Sequence, residues 1–424
     1  MRELLAIRQF RAVWMSRTSS AMGSALTMVA MALAVLQIGG SPFDLGAVLT
    51  AGAVTEIVLM LAGGVWADRL PRGPLMIGVD VARFLIVGAL AVLLLTGQAR
   101  VYHFVVVSVL SAVGRALYRP ATGGLVAATV PAPLLQKADA LLTFSTNSSA
   151  LVGPAVAGLV IAVGSAGWVY LVDALSFLVS ALLLIGVKHS VTKRTGKTAF
   201  WTELREGWSE VRTRAWLWTN LITHGLWNFG FSMIFVLGPT SVIGTVAGLP
   251  AWAVFSVCIT GGSLAGSFLA MRLRARRPLV VGNLVLTAGA VPFVALAAAA
   301  PLFVTMAGAV VAALGLAVLG ALWNSTLQQL VPIDRMSRVT AYDWVVSLSI
   351  TPLAYAAAAP LAAAVGTRAT MLVCAALIAI PSAMVVAAPA VRAIRRRADG
   401  TVTSNVDTDD IPAVVPLPST AASR

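Results

Sequence analysis

The sequence predicts an all-α membrane protein of twelve transmembrane helices, arranged as two six-helix halves in parallel pseudo-repeat. Three observations predict it. The 424 residues are 59% hydrophobic and only 11% charged, with a mean hydropathy of +0.91. A soluble chain carries roughly 25% charged residues, so there is too little polar side chain here to cover a water-facing surface. Second, twelve apolar runs are each long enough to cross about 30 Å of hydrocarbon as a helix rising 1.5 Å per residue. Third, the two sets of six runs share matching residues at a nearly constant offset.

The runs cover residues 11–37, 44–67, 74–97, 101–127, 138–163, 166–187, 216–243, 249–271, 278–298, 301–329, 338–364 and 368–389. The first is too long for a signal peptide and lacks a small-residue cleavage pattern after it, so it reads as the first membrane helix. The predicted divisions are an N-terminal half over 1–187, a linker over 188–215, a C-terminal half over 216–391 and a disordered cytoplasmic tail over 392–424. In the linker, Trp201, Leu204, Trp208, Val211 and Ala215 share one helical face opposite charges. That pattern predicts an amphipathic helix at the inner interface. The tail is rich in Pro, Thr, Ser and Asp.

Charge sets the orientation. With the N-terminus inside, 24 of the 30 lysines and arginines fall on inner loops and ends, and only Arg100 and Arg368 on outer loops. This is the positive-inside pattern. It places both termini in the cytoplasm of a cell's inner (plasma) membrane and accounts for the net charge of +14 without nucleic acid. Cys258 and Cys374 lie inside runs and carry no redox or metal signal.

The repeat appears in two places. "GGVWADRL" (63–70) is answered by "GSFLAMRL" (266–273), with Gly63, Ala67, Arg69 and Leu70 matching at an offset of 203. "VPAPLLQKADA" (130–140) is answered by "VPIDRMSRVTA" (331–341) at an offset of 201. Two parallel halves related by an axis along the membrane normal are a known transporter plan.

Gly64-x-x-x-Asp68-Arg69-x-x-Arg72 joins runs two and three and resembles the signature loop of the major facilitator superfamily. "FRAVWMSR" (10–17), "GGVWADR" and "GPAVAG" together look most like its drug:proton antiporter and siderophore-exporter branch. The resemblance covers all twelve runs. It implies that Asp68, with Arg69 and Arg72, latches the cytoplasmic side shut; Asp80 and Arg83, an i, i+3 pair low in run three, belong with that latch. The second half has Met271 where the first has its acid. Ser149-x-x-x-Gly153-Pro154-x-x-Ala157-Gly158 is similar to the antiporter signature, with Gly153, Pro154 and Gly158 matching. A Gly-Pro pair in a helix also permits close packing or a bend without any directional meaning.

Charges within the runs are the chemical candidates. Glu56 and Arg115 lie at similar depth near the midplane, and Arg119 is one turn below Arg115. An unpaired charge there costs at least about 2.5–3.5 kcal/mol, so such groups pair or face a wet cavity. Glu56 and Arg115 are proton-coupling candidates, with a static buried ion pair as the alternative. His224, the intramembrane histidine well away from an outer end, and Asp173, placed toward an outer vestibule, are further coupling candidates. Asp343 begins run eleven. The wall of a substrate cavity is expected from Asn220, Trp227 and Asn228 in run seven and Trp323 and Asn324 in run ten, with Arg119 and Asn147 from the first half. Such a lining, apolar with a few polar groups, suits an amphiphilic organic molecule.

No HExxH, GxSxG or phosphate-loop motif is present, so an enzyme is not expected. The expectation is a secondary transporter working by alternating access, most simply a proton-coupled exporter of a drug, antibiotic, siderophore or metabolite. An importer or uniporter on the same fold, or a non-transporting receptor, remains open. The expected partners are a small-molecule substrate, protons and the lipid bilayer, with no nucleic acid, cofactor or metal, and a monomer is expected.

Overall fold

The computed structural model describes residues 2–67, 72–131, 134–187, 208, 211–243, 250–331, 339, 342–343, 346–347, 349–397 and 401–404. Eleven of its helices are long and apolar enough to cross a bilayer. The six spans of the first half are Arg8–Gln37, Pro42–Ala67, Arg72–Leu95, Val101–Thr129, Leu135–Val163 and Ala166–Leu184. Span seven is built from Ala215–Ser232 and Ile234–Ile243, and span eight is Pro250–Arg272. Span nine starts at Pro278, tightens into a 3-10 turn over Thr287–Ala290 and resumes as Val291–Ala297. Pro292 explains the turn: it lacks an N–H and crowds the carbonyl one turn back. Span ten is Leu302–Leu330 and span twelve Thr367–Met384. Thr351–Val365 is the described part of span eleven. The twelve runs of the sequence thus each meet a helix.

Large apolar side chains cover the outside. Leu85, Leu159, Met271 and Phe303 are all exposed, which is tolerable where the surrounding solvent is hydrocarbon. Loops 38–41, 96–100 and 164–165 lie at one end of the bundle, here called distal; the first and last described residues, Arg2 and Ser404, lie at the other, the terminal end.

The buried core is divided unevenly between these ends. At the distal end one cluster joins both halves: Leu33, Leu45, Phe104 and Phe177 of the first pack in the same body as Phe231, Trp252, Phe293 and Ala354 of the second. At the terminal end each half has its own. Phe10, Met76, Leu125 and Leu184 form one. Trp216, Leu279, Trp323 and Val391 form the other. Spans two and eleven meet across the halves, where the Thr50 hydroxyl donates to the Pro352 carbonyl at 3.4 Å. Spans five and eight also meet across the halves.

The tail needs a correction. The sequence reading placed disorder from 392, but Ile394–Arg396 (β1) and Val402–Ser404 (β2) pair as an antiparallel hairpin. Ile394 and Val402 are buried in the terminal core of the second half. The Arg396 N–H donates to the Arg276 carbonyl at 2.8 Å, and the Val402 N–H to Gln329 Oε1 at 2.7 Å. Residues 405–424 lie outside the described residues, as do Asp68, Arg69 and most of the linker's expected amphipathic helix.

Candidate functional site

Five spans of the first half and one of the second enclose a cavity of about 490 Å³. Each contributes one helical face. Span one presents Ser24, Thr27, Met28 and Met31; span two presents Leu49, Gly52, Ala53 and Glu56. Span four presents Phe104, Val107, Ser108, Ser111 and Arg115. All three sets follow the i, i+3, i+4, i+7 spacing of a single stripe. Arg83 and Val87 of span three, Tyr170 and Asp173 of span six, and Tyr355 of span eleven complete the wall.

Glu56 and Arg115 meet here. Arg115 Nε donates to Glu56 Oε2 at 2.9 Å, and the two side chains keep 26% and 37% exposure. The pair is therefore open to the cavity and reachable by water or a solute. Asp173 is buried at the cavity wall with 3% exposure, and Thr27 donates to its Oδ2 at 2.6 Å. Its Oδ1 is a buried acceptor with no hydrogen-bond partner among the described residues. The Arg83 guanidinium rests 3.9 Å from the centre of the Phe177 ring, within electrostatic reach of Asp173 and Asp80. The cavity thus gathers two acids and two bases from four helices in an otherwise aliphatic and aromatic wall.

Arg83 and Asp80 separate rather than pair. No ion pair joins them among the described residues. Asp80 is buried behind the cavity, where Ser180 Oγ donates to its Oδ2 at 2.5 Å and Tyr118 Oη at 3.4 Å. Ser16 shares a 2.7 Å hydrogen bond with Ser180. Since the Ser180 proton goes to the carboxylate, Ser16 is the donor. This network ties spans one, three, four and six together just below the cavity. Asp173, expected toward an outer vestibule, instead lines the cavity itself.

A smaller void of about 150 Å³ lies in the second half, bounded by His224, Trp227, Asn228, Leu319, Trp323 and Asp343, among others. The His224 ring meets Trp323 edge-on at 5.0 Å. Trp323 Nε1 donates to Asp343 Oδ2 at 3.0 Å. His224 Nε2 is buried without a partner among the described residues. Trp227 spends its N–H on the Leu286 carbonyl at 3.3 Å and stacks on Phe231. So His224 and the charged cavity of the first half occupy separate voids.

Other candidates fall elsewhere. Asn220 is wholly buried and lines neither void; it accepts from Asn283 Nδ2 at 2.7 Å and donates to the Trp216 carbonyl at 2.6 Å. It is a bond between spans seven and nine. Asn147 and Asn324 are exposed and line neither void. The side chains of Gly64, Arg72 and Arg119 lie outside what the structure describes. Sequence reasoning missed Thr27, Ser108, Ser111, Tyr170 and Tyr355. The signal was present as Ser108-x-x-Ser111-x-x-x-Arg115, polar positions recurring on one face of an apolar helix.

The Gly153-Pro154 segment sits where the halves touch. A Cβ on Gly153 would lie 2.5 Å from Ala25 Cβ, so span five rests on the backbone of span one. A Cβ on Gly158 would lie 2.6 Å from Ala253 Cβ in span eight. Pro154 cannot donate to the Ala150 carbonyl. That carbonyl instead lies 3.2 Å from the Thr260 hydroxyl of span eight, which shares its one proton between it and the Ser256 carbonyl of its own helix at 3.1 Å.

A profile of the Major Facilitator Superfamily matches residues 13–347. The chain belongs to the Major Facilitator Superfamily. Its eleven described helices long and apolar enough to cross a bilayer fit a multi-pass membrane protein of that family. Among its relatives, an uncharacterised MFS-type transporter of Bacillus subtilis is 28% identical over 49% of this chain and 50% of the relative. Macrolide efflux protein A of Streptococcus pyogenes is 23% identical over 62% of this chain and 65% of its own length. The chain thus spans half to about two thirds of these relatives. Among solved structures, a nucleoside transporter superposes with a TM-score of 0.71 at 10% identity, over 90% of this chain and 99% of that one. That likeness speaks to the superfamily fold alone.

Proposed function

We propose that this superfamily member is a proton-coupled exporter of small amphiphilic organic molecules from the cytoplasm, inserted in the plasma membrane with both termini inside. The observation that carries the reading is the cavity-facing Glu56–Arg115 ion pair. When Glu56 takes up a proton, Arg115 loses its partner and becomes available to an anionic or hydrogen-bonding group on the cargo. When Glu56 is ionised again, the pair re-forms and competes with the cargo. Binding of proton and cargo are thereby antagonistic, which is the linkage an antiporter needs. The aliphatic and aromatic wall would hold the cargo's apolar body. That one relative is named for macrolide efflux supports the outward direction.

Inverted membrane vesicles carrying the protein test this. A radiolabelled macrolide and a fluorescent amphiphilic dye serve as probes. Accumulation driven by an acid interior and abolished by a protonophore is expected. Accumulation that ignores the pH gradient, or that runs only in right-side-out vesicles, overturns the reading.

The loop at Asp68, Arg69 and Arg72 is proposed as a latch on the terminal end. Asp68→Asn keeps the shape and removes the charge. It is expected to insert normally and to shift the population toward states open at that end, read as a longer distance between spin labels on the terminal ends of the two halves. An unchanged distance distribution would leave the loop a topological signal only.

A further inference from the structure

A second site lies far from the transport cavity. The C-terminal hairpin, the end of span twelve and the start of span nine enclose a pocket of about 380 Å³ lined by Arg277, Ala387, Pro389, Arg392, Ala393 and Arg395. Three of these six residues are arginines, and no carboxylate lies within ion-pair distance of them among the described residues. Three exposed arginines lining one recess, with no carboxylate partner among the described residues, repel one another. They attract an anion that can accept several hydrogen bonds at once.

The pocket is held by backbone rather than by chance side-chain positions. β1 continues from the loop before span nine through the Arg396 N–H to the Arg276 carbonyl at 2.8 Å. Ile394 and Val402 anchor the hairpin in the core. Arg392 is oriented by its Nε donating to the Val386 carbonyl at 2.8 Å, which leaves its terminal nitrogens free to point elsewhere. The site would not exist if the tail were disordered from 392.

Its position selects the kind of anion. Arg277 immediately precedes the first residue of span nine, and Ala387 closes the apolar segment of span twelve. The floor is apolar. Met384 and Ile380 follow one and two turns from Ala387 on the same helical face, and Leu284 lies two turns from Arg277 on its own; all three are exposed. A free phosphate would use only the arginines. A phospholipid would place its phosphate among them and run its acyl chains down this exposed apolar strip.

We propose that the Arg277–Arg392–Arg395 pocket is a binding site for the headgroup of an anionic phospholipid. Basic pockets at the membrane surface have the charge and depth for this ligand. The site does not depend on the transport reading, and its test reads lipid binding rather than transport.

The full chain, purified in a neutral detergent, is titrated with phosphatidylglycerol and cardiolipin. Phosphatidylcholine, inorganic phosphate and glycerol 3-phosphate are run in parallel. Retained lipid is counted by native mass spectrometry and the melting temperature is followed. Anionic lipid is expected to stay bound and raise the melting temperature, while phosphatidylcholine and the soluble phosphates do neither. The triple variant Arg277→Gln, Arg392→Gln, Arg395→Gln should weaken retention at least tenfold. The triple variant Arg2→Gln, Arg8→Gln, Arg11→Gln, which removes equal charge from the other half, should not. Ala393→Glu keeps all three arginines and gives them an internal partner; it too should release the lipid, which guards against a folding defect in the first variant. Equal retention by the two triple variants, equal binding of phosphatidylcholine, or equal stabilisation by glycerol 3-phosphate would overturn the assignment.

Discussion

Glu56 and Arg115 are 59 residues apart in sequence and 2.9 Å apart in space. Their meeting was legible because each charge is costly at the depth its helix gives it, and two opposite charges at one depth relieve each other. The convergence of Arg83 and Asp173 on the same cavity was not legible. It depends on how spans three and six are rotated about their axes, and a low-contrast apolar helix does not encode rotation in its hydropathy. Asn220 misled for a related reason: a polar residue in a membrane helix can satisfy a neighbouring helix as well as a solute. Glu56→Gln separates coupling from scaffolding at this scale. If the pair couples transport, the variant keeps cargo binding and gradient-free exchange and loses accumulation against a gradient by an order of magnitude or more. If the pair is a static strut, the variant instead folds in lower yield, and adding Arg115→Gln restores it. Counterflow and gradient-driven uptake in the same vesicles distinguish the two.

Elements carry the next layer. Pro154 removes one helical hydrogen bond, and the freed Ala150 carbonyl takes a share of the Thr260 hydroxyl proton from the opposite half, the other share going to Ser256. A helix defect in span five has become a bond between halves. Thr260→Val keeps the shape and deletes the hydroxyl. It is expected to weaken distal closure by about 1 kcal/mol, roughly a fivefold shift toward the distally open state, visible as faster labelling of a cysteine placed at Ala253. No change in labelling would show that the bond is incidental. The hairpin makes a second prediction. Truncation after Ser404 should leave the melting temperature unchanged, whereas truncation after Arg392 strips Ile394 and Val402 from the core and should lower it by several degrees, a loss of about 2 kcal/mol or more. Equal melting temperatures would mean the hairpin adds no stability. The sequence signal for it was slight: two three-residue strands around Asp399-Gly400, a turn pair, in a stretch whose composition otherwise reads as tail.

At the scale of the molecule, twelve spans and two halves were readable because a bilayer imposes length and charge rules that soluble folds escape. Which end of the bundle is closed was not readable, since both ends use the same apolar residues. The structure resolves this through its core, which is shared between halves at the distal end and separate in each half at the terminal end. On the proposed alternating-access reading, the two directions of rocking are thermally unlike. Parting the halves distally wets a shared apolar seam, and wetting apolar surface raises the heat capacity. The equilibrium between the two states should then follow a curved van 't Hoff plot, with the distally closed state favoured most at an intermediate temperature and losing ground on cooling as well as on heating. Spin-label distances across the distal ends, measured from 5 to about 40 °C, would show it; a straight plot would mean that little apolar surface is exposed in the switch. A carrier built this way has its own temperature of maximum closure, set by the area of one seam.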